Sequence, residues 1–72
     1  MYLRIESQKH LDSLSAEELS KLAIIDISDT DVSDISAFVS CKQLRELWMS
    51  VKNVSDISAL ANCIDLRYII NV

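Results

Sequence analysis

The chain has no glycine and no proline in its 72 residues. Its turns must therefore be built from Asn, Asp and Ser, and a backbone rich in steep positive-φ corners is not expected. A glycine-rich phosphate loop is excluded for the same reason. Histidine occurs once, at His10. Without a partnered nucleophile it suggests no triad, and it reads as a surface or capping residue. Two cysteines with no histidine at ligand spacing do not make a zinc site. No apolar run approaches the ~20 residues of a membrane span. The N-terminus lacks the charged-then-apolar pattern of a secretion signal, so the expected location is the cytoplasm.

Basic charge is also scarce. Seven Lys and Arg face eleven Asp and Glu, for a net charge of −4. Residues 1–34 carry eight acids against three bases, and residues 35–72 carry three acids against four bases. Nucleic acid, which needs a basic footprint, is not an expected partner. A protein with a basic surface is compatible. Asp29, Asp31 and Asp34 look superficially like a calcium loop, but the Gly and closing Glu of that loop are missing. They read as a solvated corner followed by a helix cap. At this length a chain buries only about 60% of its unfolded surface, so a single small domain spanning residues 1–72 is expected.

What the sequence does contain is one segment written twice. LAIIDISDTDVSDISAFVSCKQ starts at Leu22, and LRELWMSVKNVSDISALANCID starts at Leu44, 22 positions later. Apolar residues coincide: Leu22/Leu44, Ile25/Leu47, Ile27/Met49, Val32/Val54, Ile35/Ile57, Phe38/Leu60 and Cys41/Cys63. VSDISA recurs intact at 32–37 and 54–59. A fixed period of this length signals a repeat architecture.

The pattern LxxLxLxxxxVxDIxxLxxC resembles the leucine-rich repeat, and DIxxL after the strand is most similar to the short 22-residue internalin-like class. That resemblance implies an α/β fold: a right-handed solenoid of about four short parallel strands with short helical or 3-10 return legs. It implies a binding scaffold, without naming what is bound. Both Thr30 and Lys52 depart from the Asn that the family places at the corner, so a continuous Asn ladder is not expected.

Residues 1–21 form a degenerate capping repeat. MYLRIE supplies a strand whose Leu3 and Ile5 align with Ile25 and Ile27. Leu11, Leu14 and Leu19 face inward, and Leu19 takes the place of Cys41. Ser15 and Glu18 have capping-box spacing and predict a short helix over 15–21. Residues 22–43 and 44–65 are full repeats, with strands near 24–28 and 46–50 and with Asp34 and Asp56 as caps of the return legs. Ile57, Leu60 and Cys63 are expected in the core, so that a charge at Ile57 should unfold the chain. The pair Cys41/Cys63 reads as small buried hydrophobes with free thiols. Residues 66–72 give the last strand of a partial repeat.

Period-two alternation puts Tyr2, Ile24, Glu46 and Tyr68 in one outward column, and Arg4, Asp26, Trp48 and Ile70 in the next. A third column holds Glu6, Ser28, Ser50 and Val72. Solenoids bind partners on this concave face, and Trp and Tyr are frequent interface anchors. The expected partner-binding residues are Ile24, Asp26, Glu46, Trp48, Tyr68 and Ile70. The terminal strand is apolar and uncharged, which makes Tyr68, Ile69, Ile70 and Val72 a candidate self-association edge and the chain a candidate homodimer. No catalysis and no cofactor or metal is expected. The leading functional expectation is a non-enzymatic protein-binding module. Two alternatives stand beside it: a small stoichiometric inhibitor of an enzyme, of a phage or mobile-element anti-defence kind, and a structural piece of a longer bacterial surface array.

Overall fold

Four short strands form one parallel sheet in chain order, β1-β2-β3-β4. The computed structural model describes residues 1–50 and 52–72. The strands are β1 (Tyr2–Arg4), β2 (Ile24–Asp26), β3 (Glu46–Met49) and β4 (Tyr68–Asn71). Two short helices, α1 (Gln8–Asp12) and α2 (Ala16–Ser20), follow β1. A 3-10 segment follows β2 at Ser36–Ser40, and another follows β3 at Ser58–Asn62.

The sheet register equals the sequence period. Leu3 pairs with Ile25, Ile25 with Leu47, and Leu47 with Ile69. One backbone device repeats with it. The Met1 carbonyl accepts the N–H groups of Ala23 and Ile24, at 2.7 and 3.2 Å. The Ala23 carbonyl accepts those of Arg45 and Glu46, and the Arg45 carbonyl those of Arg67 and Tyr68. Each unit thus opens on a carbonyl that fixes where the next strand begins.

The inward register is apolar through β3 and is broken in β4 by Asn71, the register partner of Met49; among the described residues no polar or charged side chain is buried. Ile5, Leu11, Ile25, Ile35, Phe38, Cys41, Leu44, Leu47 and Met49 are fully enclosed. Leu3 and Leu14 pack against this core from the N-terminal end. Both 3-10 segments turn their i, i+3 positions inward, as expected for a three-residue turn: Phe38 with Cys41, and Leu60 with Cys63.

Ile57 is not part of that core. It is 51% exposed, while its repeat equivalent Ile35 is 1% exposed. At Ile35 the side chain is covered by the next return leg, whereas β4 continues the sheet beyond β3 but no described segment stacks on the return leg of Ile57. The same holds for Ile69, at 47% exposed, although Ile25 and Leu47 in equivalent positions are enclosed. A charge at Ile57 is therefore tolerable, contrary to the expectation from the repeat alone.

The first unit replaces the 3-10 segment with its two helices. The second is the one predicted. Ser15 Oγ accepts the Glu18 N–H at 3.1 Å, and Glu18 Oε1 accepts the Ser15 N–H at 2.8 Å. Helix α1 was not foreshadowed by such a pair. Its cap is Ser7, whose hydroxyl accepts the His10 N–H at 3.1 Å. His10 also reaches back, but past the cap: its Nδ1 accepts the N–H of Glu6, the residue before Ser7, at 3.1 Å.

Gln8 fastens this first unit to the next. Its Oε1 accepts the N–H groups of Ser33 and Asp34, at 2.9 and 3.0 Å, and its Nε2 donates to the Asp34 carbonyl at 2.9 Å. Its own N–H donates to Asp31 Oδ1 at 2.7 Å.

The remaining corners differ from expectation in two ways. Asp29 has φ of 55°, so one positive-φ corner does exist, at a residue type that tolerates it. Asp34 and Asp56 sit one residue before the formal caps, Ile35 and Ile57. Each still accepts a backbone N–H, from Ser36 and Ser58 respectively, at 2.9 Å.

Ile35→Ala should lose about 2–5 kcal/mol and Ile57→Ala a small fraction of that, measured by urea unfolding; equal losses would contradict the covering described. Gln8→Ala should lose about 1–2 kcal/mol, since several modest hydrogen bonds go together, and an unchanged denaturation midpoint would remove Gln8 as the fastener.

Candidate functional site: the strand face

The outward side chains of the sheet follow the expected columns. Tyr2, Ile24, Glu46 and Tyr68 are register neighbours, as are Arg4, Asp26, Trp48 and Ile70. This placement follows from parallel strands paired without offset in the repeat, because equivalent side chains then stack about 4.8 Å apart. The face divides into two chemically different halves.

The N-terminal half is polar and engaged with itself. Arg4 Nη1 donates to Asp26 Oδ1 at 2.9 Å and to Ser28 Oγ at 3.2 Å. The same Asp26 oxygen accepts the Ser28 N–H at 2.9 Å and its hydroxyl at 2.5 Å. Partial burial pushes the Asp26 carboxyl up. The Ser28 hydrogen bonds and Arg4 more than reverse it, leaving the group below its ordinary value. Glu6 adds a longer ion pair to Arg4, 3.9 Å from Nε. Asp26 is thus a carboxylate already held by three internal donors, and it faces an incoming basic group less freely than the sequence implied.

The C-terminal half is aromatic and aliphatic. Trp48 is half-buried, and its indole N–H donates to Glu46 Oε1 at 2.7 Å. Residues two apart on a strand share a face, so this bond orients the indole along β3. Ile70 lies beside Trp48 in the β3–β4 register and is half-buried. Tyr68 lies beside Glu46 and is 61% exposed. Ile24 and Glu46 are half-buried as well. The six residues singled out from the sequence therefore occupy one face of three neighbouring strands. Arg4 and Ser28, absent from that set, belong to its polar half; the column Arg4–Asp26 was legible, but not its ion pair.

Two other features gather polar or reactive side chains. A groove of about 530 Å³ runs between the 3-10 segments and is lined by Ser33, Asp34, Ser36, Ser55, Asp56 and Ser58, among others. The Ser36 backbone N–H holds Asp34 below its ordinary value, and Ser58 does the same for Asp56. These carboxylates serve their own turns. Asp31 is likewise engaged, by the Gln8 N–H. Among the described residues no cluster of three His, Cys, Asp or Glu side chains is placed to hold a metal ion.

Cys41 and Cys63 are free and buried. Burial pushes the Cys41 thiol up to about 12, with Cys63 adding to it. The thiol therefore stays protonated at neutral pH and is a poor nucleophile. Cys63 Sγ donates weakly to the Phe38 carbonyl at 3.4 Å.

Among the described residues no helix is long and apolar enough to cross a membrane. No protein-family model matches the sequence, and no curated protein matches it.

Asp26 gives the face a pH signature. Its folded pKa is lowered from an ordinary 3.8, so the stability it contributes is fully present above that value and is lost as pH falls through the folded pKa. Asp26→Asn should lower stability at neutral pH and flatten the loss below about pH 4. An unchanged acid-unfolding profile would show that the Arg4–Asp26–Ser28 group is not held together in solution.

Proposed function

We propose that the chain is a small leucine-rich-repeat solenoid acting as a non-enzymatic recognition module for another protein, with the partner seated on the strand face. The observation that carries this reading is the grouping of Trp48, Ile70 and Tyr68 on adjacent strands of one face. The core is already filled by the opposite register, so these side chains are not required inside. Exposed contiguous apolar groups on a small protein mark interaction surfaces, and aromatic anchors dominate the energetics of such surfaces. The solenoid assignment is supported by the shared period of sequence and register, and by parallel strands alternating with 3-10 segments. Its repeat corners are bonded by other means than an Asn ladder. Thr30 Oγ1 donates to the Ile27 carbonyl and accepts the Val32 N–H, and Asn53 Nδ2 reaches the Thr30 carbonyl at 3.2 Å.

A basic enzyme blocked one-to-one by this face is a second reading. The acid excess of residues 1–34, with Glu6, Asp12, Asp29, Asp31 and Asp34 all exposed, favours it through electrostatic attraction.

Trp48→Ala should weaken partner binding by about 2 kcal/mol or more, as hot-spot truncations do, without unfolding the sheet. Calorimetric titration of a partner isolated with the wild-type chain measures this, and a salt series distinguishes the electrostatic reading. A Trp48→Ala chain that binds with undiminished affinity would remove the strand face as the working surface.

A further inference from the structure

The last strand of the described sheet, β4, has no charged residue. Tyr68, Ile69 and Val72 are exposed there, with Ile57 and Ile64 exposed nearby. Edge strands of this kind usually carry a charge, a proline or a cover, because their outer backbone groups are a template for further pairing. The Tyr68 and Val72 N–H groups donate toward β3, to the Arg45 and Met49 carbonyls at 3.1 and 3.0 Å. Alternation along a strand then directs the Ile69 N–H to the open side.

We propose that two copies of this chain pair β4 to β4, antiparallel, about a two-fold axis at Ile70, joining two four-stranded sheets into one of eight. Three observations favour a second copy as the occupant. First, the strand is self-complementary about that axis. Ile70 meets its counterpart, Tyr68 meets the counterpart of Val72 on the same face, and no like charges oppose each other. Closed two-fold pairing of this isologous kind is the commonest way soluble chains associate.

Second, the charge distribution permits contact at this end and opposes it at the other. Residues 35–72 hold three acids and four bases, while residues 1–34 hold eight acids and three bases. Pairing through β4 brings the near-neutral halves together and leaves the acidic halves far apart. Pairing through β1 would do the reverse. Third, only on the last strand are the outward positions all free of charged and serine side chains. The column that holds Arg4, Asp26 and Trp48 ends in Ile70, and the column of Glu6, Ser28 and Ser50 ends in Val72.

This pairing rests on the edge of β4 and not on the partner-recognition reading, but it alters the strand face. Trp48 of each copy would lie three strand spacings apart, about 14 Å, on one continuous surface.

The test uses the full chain. Light scattering across micromolar to sub-millimolar concentration should show the mass rising from the 8.1 kDa of one chain to twice that. Ile69→Pro removes an N–H directed at the open edge while leaving the donors to β3, and should hold the chain at one copy with its circular dichroism intact. Should that variant not fold, Ile70→Cys decides. Directly opposed Cβ atoms about 5 Å apart lie close to disulfide reach, so mild oxidation should give a covalent dimer, while Asp65→Cys, in the turn before β4, stays monomeric. A mass fixed at one chain, with Ile70→Cys remaining uncrosslinked, would overturn the proposal and give the edge to a strand from a different protein. A ladder of masses beyond two copies would overturn it in favour of head-to-tail stacking.

Discussion

Everything in this structure depends on how each unit meets the next: an apolar layer covered by an apolar layer, in a register held by shared carbonyls. The Met1, Ala23 and Arg45 carbonyls each accept two N–H groups from the following unit. That fixes the strand offset at the sequence period, and the offset decides which side chains stack. Ile25 falls on Leu47, and Asp26 on Trp48. A shift of one residue would exchange the inner and outer sets of a strand. The ladder and the apolar pattern therefore enforce one another. The strand face, the polar lock at Arg4 and the aromatic group at Trp48 are all consequences of that single register.

Covering also explains why identical sequence does not mean identical environment. VSDISA occurs twice, yet Ile35 is enclosed and Ile57 is not. The hydrophobic contribution of a position scales with the area removed from water, so it belongs to the pair of units and not to the motif. The repeat made Ile25, Ile27, Phe38, Leu47 and Met49 readable as core from their spacing. It could not show which unit would be left uncovered, because coverage is decided by what lies above a residue and not by its own neighbours in sequence.

The first unit shows the complementary limit. Helix α2 was readable because Ser15 and Glu18 form a local pair three residues apart. Helix α1 was not, because its cap Ser7 has His10 and not an acid three residues on, and its main tether is Gln8 reaching 23 to 26 residues away. Long-range bonds of this kind leave no trace in local pattern. On the strand face the columns were readable, since parallel stacking on a period of 22 dictates them. The division of that face was not. Asp26 looked like an available acid until Arg4 and Ser28 were seen to hold it. Trp48 gained an orientation from Glu46 that alternation alone does not specify.

The claim that covering by the following unit sets local stability can be tested on equivalent bonds. Arg45 N–H donates to the Ala23 carbonyl at 2.7 Å, and Arg67 N–H donates to the Arg45 carbonyl at 2.9 Å. The two are chemically alike, but only the first has a further strand stacked beyond it. Native-state hydrogen exchange, read by NMR at a concentration low enough to keep the chain monomeric, compares them directly. The account predicts much slower exchange for Arg45 and Glu46 than for Arg67 and Tyr68. Equal protection at both, or greater protection at Arg67, would contradict it.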